Sequence, residues 1–134
     1  MDVTQAKKNI VSHFTTGWVA KHPDVRVMYD NVDIDINQLE EYLEFSVLFD
    51  DATQANIGEN PFHRFYGTIE ISMFVHRGTG TGVVLKYLGE LGTLFGFKNL
   101  GGVHTQVPRI GGELSRGNWY SQVLRVSFYA DSNT

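Results

Sequence analysis

The residues best placed for chemistry in this chain are those of Arg77-Gly78-Thr79-Gly80-Thr81-Gly82, between an alternating strand and an apolar helix. Strand, glycine turn and helix in that order can cradle a phosphate, because backbone N–H groups converge at the helix start. Here the details point elsewhere. The spacing is Gly-x-Gly-x-Gly, not Gly-x-Gly-x-x-Gly, and no Lys-Ser or Lys-Thr follows. The preceding strand alternates sharply, whereas a central parallel strand is apolar on both faces. About twenty residues on, where an acidic residue would meet a ribose, Val103-His-Thr-Gln-Val107 offers none. The turn therefore reads as a tight reversal with positive φ at a glycine, followed by a threonine N-cap.

Other reactive side chains are scattered. Asp30, Asp33 and Asp35 have the look of a calcium loop, but no glycine occupies its sharp turn and no glutamate closes twelve residues. His13, His22, His63, His76 and His104 have no metal-ligand spacing. No serine sits in a Gly-x-Ser-x-Gly elbow. Glu40-Glu41 and Asp50-Asp51 are adjacent pairs, and neighbours on a strand point to opposite faces. With no cysteine, disulfides, thiolate metal sites and cysteine nucleophiles are excluded. No catalytic constellation, cofactor site or metal site is expected.

At 134 residues the chain reads as one domain, 1–134, with enough length to bury a core. Fifteen acidic residues against eleven basic give a net charge of -4, which argues against a protein built to grip phosphates. MDVTQAKKN lacks the apolar core of a signal peptide, and no run approaches the ~20 apolar residues of a membrane-spanning helix. The expectation is a soluble protein of the cytoplasm or of an assembly built there.

The elements that must position these residues follow from periodicity. Val3, Ala6, Ile10, Phe14 and Trp18 recur at helical spacing, predicting a helix from Asp2 or Thr4 to Ala20 that His22-Pro23 ends. Val25, Val27 and Tyr29 predict a short strand, and residues 31–36 a turn or an edge. Leu43, Phe45, Val47 and Phe49 share one face of a strand over 41–49. A polar loop over 50–61 leads to the longest strand, with Phe65, Gly67, Ile69, Ile71, Met73 and Val75 on one face. After the second helix, a short strand covers 103–107, a flexible segment 108–118, and a final strand 119–129. Short connections between alternating strands favour an α+β fold: a mainly antiparallel sheet with two helices packed on one side.

The second helix carries Val83, Val84, Tyr87, Leu88, Leu91, Leu94 and Phe95 on one apolar face. Gly82, Gly89, Gly92 and Gly96, with Leu85 among them, line another strip. Each interior glycine costs about 0.5–1 kcal/mol relative to alanine, so such a strip suggests that another backbone approaches closely. The first helix of the same chain and a neighbouring subunit are the two candidates.

Several stretches taken in order carry a resemblance. They are the leading amphipathic helix, Asp30-Asn31-Val32, the Leu43–Phe49 strand, and the loop ending in Asn56-Ile57-Gly58. Then come the Arg64–Val75 strand with Gly67, Gly78-Thr-Gly80-Thr-Gly82, the helix ending Leu94-Phe95, and Gly117-Asn-Trp119-Tyr120. This order, running nearly end to end, resembles the tail-terminator-like proteins of long-tailed bacteriophages. The resemblance implies a non-catalytic subunit of a ring, commonly a hexamer, that caps the tail tube, stops its polymerisation and presents the head-joining surface. Its implied partners are copies of itself, the tail-tube protein and a head-completion or neck protein. DNA would meet it only in passage, and no membrane would be involved. Its implied location is the head-proximal end of the virion tail, after assembly in the host cytoplasm. Candidate contacts with neighbouring subunits or the tube are then Gly82, Leu85, Gly89, Gly92 and Gly96 on the helix, with Asn56, Ile57, Arg109 and Arg116 from the two long loops. A head–tail adaptor or tube subunit, and more remotely a small nucleotide-binding domain, stay open.

Overall fold

The computed structural model describes residues 1–29, 35–50, 53–54 and 63–132. Helix α1 spans Val3–Phe14. Asp2 caps it, accepting from the Gln5 backbone N–H at 2.8 Å and satisfying a donor that the first turn leaves unpaired. The same rod continues as a wider π-helical turn over Thr15–Val19. There the Thr15 and Thr16 hydroxyls donate back to the carbonyls of Val11 and Ser12. The predicted stripe is the buried one: Ala6, Ile10, Phe14 and Trp18 enter the core, while Val3 stays exposed.

Among the described residues seven strands follow: β1 (Arg26–Tyr29), β2 (Glu41–Phe49), β3 (Thr53–Gln54), β4 (His63–His76), β5 (Asn99–Leu100), β6 (Val103–Arg116) and β7 (Trp119–Ser132). Helix α2, Gly82–Phe95, lies between β4 and β5. The strand order is β1-β2-β4-β7-β6-β5, with β3 paired on β4. The sheet is mixed, because β1 runs parallel to β2; the other described pairings are antiparallel. The expected sheet was mainly antiparallel, and the parallel pair lies at its β1 edge, where β2 starts beside Arg26 and Ile36 and Leu39 pack on the sheet.

One sheet face carries the main core. Leu43, Phe45 and Val47 of β2, Phe65, Ile69, Ile71 and Met73 of β4, and Leu124, Val126 and Phe128 of β7 meet the buried stripes of both helices there. The opposite face holds a second, smaller cluster in which Tyr42 stacks on Phe74 at 4.6 Å and meets Trp119 edge-on at 4.9 Å. Met28, Ile36 and Leu39 cover it. At the far end of β4 and β7, Arg64 grips Asp131 through two bonds of 2.7 and 3.1 Å. That pairing raises the guanidinium's pKa and holds the carboxyl below the ordinary carboxylate range. Among the described residues no helix is long and apolar enough to cross a membrane.

The segment over 108–118 is the clearest correction to the sequence reading. It is not a flexible loop: β6 runs unbroken from Val103 to Arg116 and turns through Gly117-Asn118 into β7. Pro108, Gly111 and Gly112 gave the segment its loop-like composition. The strand absorbs them with register shifts between Thr105 and Pro108 and between Gly111 and Leu114. The final strand likewise extends to Ser132, past the end expected at 129.

Candidate functional site

The glycine turn reverses the chain by the expected means. Gly78 and Gly80 have φ of 93° and 96°, a region that L side chains rarely enter, and the Thr79 N–H bonds the His76 carbonyl at 3.1 Å. Thr81 occupies the N-cap position of α2, but its side chain makes no capping bond, so the expected threonine cap is absent. Beside the turn lies an open depression of about 340 Å³ lined by His76, Arg77, Thr81, Ser115 and Tyr120. Three of these side chains are already committed to the fold. His76 Nε2 lies 3.0 Å from the Leu39 carbonyl and its ring stacks on Trp119, while Arg77 donates to the Gly117 carbonyl. Tyr120 donates to the Glu113 carboxylate; burial first, and then that bond, raise its pKa. Among the described residues no three His, Asp or Glu side chains cluster as a metal site would need.

The glycine strip of α2 divides in two. Gly92 and Gly96 face the side chain of Pro108 on β6, where a Cβ at Gly96 would come within 3.0 Å of the Pro108 ring. The close neighbour there is thus β6 of the same chain and not the first helix. The first helix meets α2 elsewhere: Gly17 packs under Leu94, and His13 Nε2 lies 2.8 Å from the Leu94 carbonyl. Gly82 and Gly89 have open space around them, and Leu85 is exposed beside them. A Gly89→Ala substitution is expected to stabilise the isolated subunit by about 0.5–1 kcal/mol, since it removes only backbone freedom at a helix interior. Urea unfolding reads this directly, and a lowered midpoint would place a packed neighbour at Gly89.

Arg109 and Arg116, expected on a loop, both lie on β6. Arg116 bonds Glu44 at 3.4 Å and rests over the Phe74 ring at 5.1 Å, so it closes the far face of the sheet within its own chain. Arg109 stands opposite Arg125 in the ladder. Arg125 is neutralised by Glu70 at 3.1 Å, whereas Arg109 has no ionic partner among the described residues. Asn56 and Ile57, with Asp30, Asn31 and Asp33, lie outside the described residues.

The notable surface was not singled out from sequence. β5 pairs β6 only at Val103 and His104, and the Phe97 N–H reaches the Gln106 carbonyl at 3.4 Å. From Val107 to Arg116 the outer side of β6 has no described partner strand, and Val107, Ile110 and Leu114 stay 43–45% exposed along it. At the head of this edge Phe97 is 75% exposed and holds φ at 55°, a left-handed conformation rare for an aromatic residue. The reversal that imposes it is fixed by Thr105, whose hydroxyl donates to the Phe95 carbonyl and accepts from the Lys98 N–H at 2.7 Å. Two bulges break the alternation of β6, so period-two patterning gives no signal there. Helix periodicity likewise says nothing about a residue just past a helix end.

No family model matches the sequence, and no curated protein matches it. Solved structures share the fold. One of them, a chain whose name carries no functional description, aligns over 92% of this chain and 94% of its own with a TM-score of 0.65 at 16% identity. That likeness establishes a common architecture and leaves activity and partners open.

Proposed function

We propose that this chain is a structural subunit of a ring that caps the tail tube of a long-tailed bacteriophage, ends its polymerisation and offers the surface to which the head joins. The observation that carries this reading is the bare β6 edge, a long strand whose exposed apolar side chains suit protein partners better than small-molecule chemistry. The ordered resemblance to tail-terminator-like proteins supplies the kind of assembly. Its partners are copies of itself, in a hexamer by that resemblance, with the tail-tube protein on one side and a neck protein on the other. It works without catalysis or cofactor at the head-proximal end of the tail. Its net charge of -4 suits a channel through which DNA slides without being gripped.

A head–tail adaptor or a tube subunit would use the same edge with a different neighbour. Electron microscopy of tails assembled without this protein separates the roles. Overlong tubes that fail to join heads are expected; tubes of normal length beside unattached heads would replace the terminator by a neck protein. Titration calorimetry with ATP and with NAD is expected to give no heat. Saturable heat with either would return the glycine turn to consideration as a nucleotide site.

A further inference from the structure

We propose that the β6 edge of one subunit is completed by the β1 edge of the next, so that copies join head to tail into one continuous sheet. This rests on the ring reading above and specifies which surfaces make the ring. Two edges of the sheet need covering. On β6 the stretch from Val107 to Arg116 offers unpaired backbone and three exposed apolar side chains, and such an edge is a template for another strand. On the opposite side β1 has, among the described residues, β2 as its one partner strand. An interface of β6 with β6 about a two-fold axis would cover one edge and leave the other bare. A head-to-tail contact covers both and generates a ring when its rotation closes.

Strand direction is compatible with this joint. β1 and β2 run together, β4 opposes them, β7 runs with them, and β6 opposes them again. A neighbour generated by rotation about an axis along the strands therefore brings its β1 antiparallel to β6, the more stable pairing. Both helices stay on the same face of the joined sheet, since they share the core on one side of each subunit.

Charge favours the same partner. Arg109 on β6 has no ionic partner among the described residues, and Glu113, the acidic residue of that edge, is turned inward to Tyr120 and Gln122. At the start of β1 and β2, Asp24, Glu40 and Glu41 outnumber the single cation Arg26. Unpaired Arg109 is thus matched by the excess of carboxylates at the start of the β1–β2 pair, whereas pairing β6 with β6 would set its arginines against each other. Phe97 supplies the anchor: the reversal fixed by Thr105 holds its ring 75% exposed at the head of the free edge, in a left-handed conformation rare for an aromatic residue.

The absence of cysteine makes the joint directly testable. Val27 and Ile110 face the helix side of the sheet, opposite Leu43 and Leu124, and Ser115 shares that face opposite Tyr120. Val27→Cys is combined with Ile110→Cys or, to cover a different register, with Ser115→Cys, and each purified variant is mildly oxidised. Three strands separate the two edges within one subunit, far beyond the ~7 Å Cα limit of a disulfide. A ladder of covalent multimers ending at one closed size is expected on non-reducing gels, with every single-cysteine variant remaining monomeric there. Disulfide dimers from Ile110→Cys alone would overturn the joint in favour of β6 meeting β6. A native chain that sediments as a ring while neither double variant cross-links would also overturn it, leaving the ring reading intact. Sedimentation as a monomer without cross-links would overturn both. In parallel, Phe97→Asn, which suits the left-handed conformation, is expected to leave the circular dichroism spectrum and melting point undiminished. The concentration needed for half-assembly should rise about tenfold or more. An unchanged assembly midpoint would remove Phe97 from the interface.

Discussion

Replacing Gly67 by alanine is expected to destabilise the subunit by about 3 kcal/mol or more, the upper part of the range for overpacking a filled core. In an open strand the same change would be favourable, because glycine weakens a strand and alanine removes backbone freedom. The sign is decided by what surrounds this position. Gly67 stands between Phe49 on β2 and Phe128 on β7 in the ladder, and those two rings meet edge-on at 5.6 Å across it. A Cβ built on Gly67 would run into the Phe128 ring and the Leu48 carbonyl oxygen. The carbonyl belongs to a ladder and cannot swing away, and Phe128 is buried against the core. Urea unfolding of the isolated subunit measures the loss, and a chain of this size should lose about 10 °C in Tm. Trimming the ring in the double variant Gly67→Ala, Phe128→Leu should return part of the stability, a coupling expected only of groups in contact. A Gly67→Ala variant as stable as the parent would mean that the two rings do not close over this glycine.

Gly67 also illustrates what was legible in the sequence. Its place in the alternation of β4 put it on the buried face, and that face is buried as expected. The stripes of both helices and the inward faces of β2, β4 and β7 followed from the same periodicity, since one-sided burial imposes it. β6 resisted this logic for a physical reason. Its two bulges move Ile110 and Leu114 to opposite faces, so the apolar residues do not recur at period two, and Pro108 and two glycines imitate a loop. The glycine strip of α2 was visible, but its neighbour was not. Only the fold reveals that Pro108 of β6 lies under Gly92 and Gly96, while Gly82 and Gly89 face open space. The second aromatic cluster was equally hidden. Tyr42, Phe74 and Trp119 come from three strands distant in sequence, on the face opposite the one that alternation marked as buried. Phe97 drew no notice because its oddity is conformational: nothing in its residue type announces a left-handed backbone.

Truncating Phe14 to alanine is expected to cost about 3–5 kcal/mol, the range for deleting a fully buried aromatic ring without refilling the space. The ring is wholly buried where α1, β2 and α2 converge. It stacks on Phe45 at 4.2 Å and, at longer range, on Trp18 at 5.8 Å and Phe95 at 6.5 Å, with Tyr29 edge-on at 6.3 Å. Because these partners belong to four different elements, no single side chain can shift to close the cavity. Against the ~5–15 kcal/mol that holds a typical domain together, such a loss removes much of the margin. Val3→Ala on the same helix provides the contrast, since Val3 is exposed and its truncation should change stability by no more than about 0.5 kcal/mol. The measurements are the urea midpoint and the near-ultraviolet dichroism of the stacked aromatics. The outcome bears on assembly as well. Phe14→Ala should lose rings because it loses the subunit, with both signals falling together. A variant of the β6 edge should lose rings while both signals hold. If Phe14→Ala kept the parent's midpoint, the aromatic stack would not be the structural centre, and α1 would owe its position to other contacts.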